Sequence, residues 1–186
     1  MKKFILSVIF AILISGLITL TVHAVSQKVT INGTEYKLKY SNCDNRSVAC
    51  MNEYYKANEQ GFNWTELFTV VYTKNTNNPF EFAKALANSQ KYSDIEINKQ
   101  ENYAIVRFLI PYKDKNGNSV IEQNIAKVMK YSFGNGVVSQ QYAVKILLNL
   151  SKDTVEKKLQ HNESVYSELI KTVPAQRMYT QHLQDW

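Results

Sequence analysis

Cys43 and Cys50 are the only cysteines of this 186-residue chain, separated by six residues in the stretch SNCDNRSVAC. Such a pair can bridge, exchange with other thiols or hold a metal. A redox motif spaces its cysteines C-x-x-C, and zinc asks for further ligands close by. Beyond the N-terminal segment the only histidines are His161 and His182, both remote in sequence. The intervening Asp, Asn, Arg and Ser turn easily, so a Cys43–Cys50 disulfide is expected. Closing so short a loop removes roughly 2.5 kcal/mol of unfolded-state entropy.

Little else could do chemistry. There is no G-x-S-x-G turn, H-E-x-x-H helix, phosphate-binding loop or dinucleotide glycine pattern. A serine nucleophile would need a positioned base, and His161 and His182 read as solvated. Glu53, Glu59 and Glu66 flank an aromatic segment and could cut glycosidic bonds. One of them would then have to be buried and proton-bearing beside a sugar groove. A carboxylate-based cell-wall hydrolase is therefore the alternative to a non-catalytic reading. The feature that most invites function is aromatic: Tyr54, Tyr55, Phe62 and Trp64, a candidate binding surface. Tyrosine and tryptophan bury large area at low entropic cost and keep a polar handle. The competing reading is that they pin the cysteine loop to the core.

The disulfide requires an oxidising space, and the first residues supply one. Lys2 and Lys3 precede an apolar run from Phe4 to Leu20, followed by Val22-His23-Ala24. A positive start, apolar middle and small-residue end make a bacterial export signal, with cleavage expected after Ala24. The alternative is an uncleaved anchor holding an accessory of an envelope complex; either way the rest is exported. Residues 25–186 then carry a net charge of +4, against +6 for the whole chain. Their basic residues are spread out, with no stripe of the kind nucleic acid demands.

The elements that must position these residues follow from local pattern. Asn32-Gly33 between β-prone runs predicts a type I′ hairpin over Lys28 to Tyr40. Trp64 to Lys74 reads as a buried strand. Asn78-Pro79 should cap and open a helix that buries Phe82, Ala83, Leu86 and Ala87. From Tyr92 to Leu148 the reading is strand throughout, broken by turns at Lys115–Asn118 and Gly134–Gly136, hence an antiparallel meander. Ser151 or Asp153 caps a last helix whose stripe runs through Val155, Leu159, Asn162, Tyr166, Leu169 and Val173, and Pro174 stops it. The expected fold is one α+β domain: an N-terminal hairpin plus a C-terminal meander in an antiparallel sheet, two main helices packed on one face, and a tail from about residue 174.

Asn52-Glu53-Tyr54, then Asn63-Trp64-Thr65-Glu66-Leu67, a β run and Asn78-Pro79-Phe80 resemble a group of uncharacterised bacterial exported proteins sharing an N-E-Y, W-T, strand and N-P-helix series. The likeness covers roughly residues 50–90. The element order also resembles the Mog1/PsbP/DcrB-like architecture, which implies a binding or assembly module; the cysteine loop and longer tail depart from it. The expectation is a non-catalytic periplasmic or secreted protein that binds a protein or envelope partner, in its sharpest form an immunity-type inhibitor. No cofactor, metal or nucleic acid is expected, and membrane contact only through an uncleaved leader.

Overall fold

The computed structural model describes residues 27–42, 49–59, 61, 63–132 and 134–172. The leader (residues 1–24), Cys43, Phe62 and the tail from residue 174 therefore lie outside the described residues. In chain order come β1 (Lys28–Ile31), β2 (Thr34–Asn42), β3 (Ala49–Lys56), β4 (Glu66–Thr73), α1 (Pro79–Asn88), β5 (Tyr92–Asn98), β6 (Tyr103–Lys113), β7 (Ser119–Lys130), β8 (Val137–Leu147) and α2 (Lys152–Thr172). The eight strands form one sheet in the order β1-β2-β3-β4-β8-β7-β6-β5. Every pairing is antiparallel.

This corrects the expected α+β balance: the described residues are sheet-dominated, an eight-stranded antiparallel sheet with two helices. Two causes account for it. The segment after the cysteine loop, polar in sequence, is strand β3, which extends the hairpin into a four-stranded meander. β4 then pairs with β8, fusing the two meanders into one sheet rather than leaving a hairpin beside a meander.

The helices also lie on opposite faces, not on one. Along β6, Ala104, Val106 and Phe108 pack with Ala83 and Ala87 of α1, whereas Ile105 joins the cluster containing Val165 and Tyr166 of α2. Successive strand residues point to opposite faces, so these two sets define two sides. The α2 side is the larger core and is rich in aromatics, with Tyr36, Tyr54, Phe68 and Tyr166 essentially inaccessible. α2 touches β1 as well as β7 and β8. In a flat sheet β1 and β7 would stand about 24 Å apart, a distance that a helix of 21 residues covers when it lies across the strands.

Local chemistry sets the ends of these elements. Asn32 (φ 47°) and Gly33 (φ 77°) both take the positive φ of a type I′ turn. The Asn78 side chain accepts from the amides of Phe80 (3.0 Å) and Glu81 (3.3 Å), capping α1. Ser151 Oγ accepts from the Thr154 amide at 3.3 Å and caps α2. Gly136 opens β8 where the chain grazes β4: a Cβ there would stand 2.6 Å from the Thr73 carbonyl oxygen. Asn162 is the polar break in the α2 stripe; it is buried and donates to Gln123 Oε1 at 2.8 Å, clasping helix to sheet.

Candidate functional site

Adjacent residues of a strand cannot share a face, and β3 shows the consequence. Tyr54 points into the α2-side core, fully buried with its ring 6.0 Å from Phe68. It is a core residue, not part of a binding surface. Tyr55 points the other way, packing with Leu67, Ala143 and Trp64. Its hydroxyl donates to Glu53 Oε2 at 2.5 Å. Of the expected aromatic surface, Tyr55 and Trp64 come together. Cys50 is buried in β3 opposite Tyr72 and is disulfide-bonded.

Trp64 sits in the segment leading into β4, at the junction of two depressions that share it and Asn63. One, about 690 Å³, is lined by Tyr40, Glu53 and Tyr55. The other, about 970 Å³, is lined by Tyr112, Glu122, Lys145 and Leu147 among others. The larger one has a simple origin in the register. β4 begins at Glu66, opposite Val144, while β8 runs on along β7 as far as Leu147. That leaves a notch beside the end of β8. Residues 63–65 partly fill it, with the Lys145 amide donating to the Thr65 carbonyl at 2.9 Å. The Lys145 ammonium then lies 3.9 Å from the centre of the Trp64 ring, a cation–π contact.

Two glutamates line the cleft, and their surroundings act on them in opposite directions. Glu66 faces the α2 side. Burial disfavours its charge, but Lys56, Tyr36 (2.5 Å) and Tyr142 (2.9 Å) all donate to it and hold its carboxyl below the usual range. Burial in turn pushes both phenols far above the ordinary tyrosine value. Glu122 faces the other side. There burial outweighs the Asn124 hydrogen bond and the Lys145 charge, and its carboxyl is raised. Burial also lowers Lys145, against the pull of Glu122, Glu59 and Asp114.

Glu53, Glu59 and Glu66 do not form the hydrolytic set of the alternative reading. Glu66 is held ionised, the reverse of a proton-bearing acid, and Glu53 lies on the opposite face of the sheet. Glu59 accepts from Thr65 Oγ1 at 2.6 Å, and its other oxygen is buried without a partner among the described residues. His161 is exposed on α2, and His182 lies outside the described residues. Among the described residues no cluster of His, Cys, Asp or Glu is placed to hold a metal ion, and no helix is long and apolar enough to cross a membrane.

Sequence reasoning missed Tyr112, Glu122 and Lys145. The register brings them together from the far ends of β6, β7 and β8, Glu122 directly opposite Lys145. An acidic residue in the apolar-rich β7 was the available signal.

A protein-family model matches residues 23–174, most of the chain, and the chain belongs to that family, an uncharacterised one. No curated protein matches it, and neither does any solved structure.

Proposed function

We propose that this chain is an exported, non-catalytic binding protein of the bacterial envelope, periplasmic or secreted, and that its partner occupies the cleft beside Trp64. The cleft carries this reading. Its volume of about 970 Å³ lies within the range of ligand sites. Aromatic anchors, an apolar floor and a few convergent charges complete the pattern of a recognition site. The Cys43–Cys50 bridge belongs to the same proposal. It would tether the loop before β3, the strand that presents Tyr55 to the adjoining groove.

Capture from envelope extract tests the site, with protein and lipid fractions both analysed. Trp64→Ala is expected to lose the captured partner while keeping the far-ultraviolet spectrum of the native sheet. Recovery of the same molecules at the same yield would place the site elsewhere. Intact mass of protein taken from cells, with and without alkylation, tests the export reading. A chain beginning at Val25 with both sulfurs protected supports it, and two alkylated thiols overturn it.

A further inference from the structure

We infer that the ligand of the Trp64 cleft is an anionic amphiphile, an aliphatic chain ending in a phosphate or carboxylate; this rests on the reading that the cleft binds at all. The apolar part is explicit. Val120 and Val144 line the cleft and are themselves buried, while Leu147 and Leu150 stand at it 42% and 37% exposed. These two leucines are among the few large aliphatic side chains left to solvent among the described residues, and they sit where an alkyl chain would cover them.

The charged part is an excess of lysines over the acids that line the cleft. Lys113, Lys115, Lys145 and Lys158 all line the cleft. Lys113 donates to Ser119 Oγ at 3.1 Å and Lys115 to Asn63 Oδ1 at 3.2 Å, both neutral acceptors. Lys158 projects exposed from α2, with no hydrogen bond or ion pair among the described residues. The three acids that line the cleft already have partners. Glu66 is matched by Lys56. Asp114 accepts from the Asn116 and Asn118 amides and from Asn118 Nδ2, which fixes its turn. Glu122 lies directly opposite Lys145 across the β7–β8 pair and answers that lysine, which leaves Lys113 and Lys158 over. An anion bound here would meet cations with charge to spare.

Other ligand chemistries fit less well. A sugar needs an open aromatic face, and one face of Trp64 is taken by Lys145 while its ring packs with Tyr55 and Leu67. A simple anion leaves the leucine wall unused. A cationic amphiphile would face four lysines.

Fluorescence decides the matter. The chain has two tryptophans, so in the Trp186→Phe protein Trp64 is the sole reporter. Dodecyl phosphate and dodecanoate, each below its micelle concentration, are titrated against dodecyltrimethylammonium and inorganic phosphate. Saturable change with either anionic amphiphile alone is the expected result, and the stronger of the two names the head group. Lys115→Glu/Lys158→Glu, at two exposed positions that should not disturb folding, is expected to weaken binding about tenfold.

Equal response to the ammonium compound would mean adsorption to apolar surface and overturn the proposal, as would binding of inorganic phosphate alone. Binding only to phosphatidylglycerol vesicles would replace the amphiphile by a membrane surface. Silence from every probe, with Trp64-dependent capture from extract intact, would sink the amphiphile and leave the binding reading standing. Loss of both would remove the cleft itself.

Discussion

The two sides of the β4–β8 seam solve opposite problems with similar residues. Under α2 the seam is closed: Phe68, Val70 and Tyr142 are buried, and the carboxylate at its end, Glu66, has three donors. On the reverse side α1 packs mainly on β5, β6 and β7. There an acid, a lysine and a tryptophan meet in an open cleft, and the acid is left with its charge disfavoured. The first arrangement stabilises a fold. The second holds charge and apolar surface ready for something outside the chain.

Replacing the two aromatic anchors is the bluntest way to break this comparison. Phe68→Ala, emptying a fully buried site, is expected to cost about 4 kcal/mol in denaturant unfolding. Trp64→Ala, at a half-buried position, should cost less than half as much; equal costs would make both sides core.

Glu66→Gln sharpens it next, at about 2 kcal/mol near neutral pH, because the Lys56 ammonium loses its counter-charge. The pH dependence carries the sign. The folded carboxyl titrates below its unfolded value, so its contribution is present above the unfolded pKa and is lost as pH falls through the folded one. The gap between wild type and variant should therefore narrow in acid. A gap independent of pH would deny Glu66 this role.

Glu122→Gln gives the smallest effect and the opposite sign, a gain on the order of 0.5 kcal/mol at neutral pH. The folded carboxyl is raised, so folding favours its protonated form and wild-type stability declines as pH climbs from the unfolded pKa through the folded one. The variant should lack that decline; a loss of stability at pH 7 would show that Glu122 is satisfied where it stands.

Much of the framework is legible in local sequence because local interactions determine it. Asn32-Gly33, Asn78-Pro79 and Ser151 act within a few residues of themselves, and each turn or cap forms where the pattern places it. β3 is not legible in the same way. Its polar residue Asn52 is buried, accepting from Ser41 Oγ at 2.7 Å across the pair, so the alternation is hidden from hydropathy. Missing that strand also let Tyr54 and Tyr55 look like neighbours on one surface. The cleft is legible only in part: Trp64 stands out by type, whereas Glu122 and Lys145 acquire meaning from a register set by long-range pairing.

That same seam bears on how the molecule is made. β4 is complete soon after the cysteine loop, yet its outer hydrogen-bonding edge stays open until β8, the last strand of the second meander, emerges. The nascent chain must carry an apolar strand with one edge unpaired through the whole interval, so its safe assembly depends on how quickly distant halves meet. Neither half can finish without the other, and the two should melt as one.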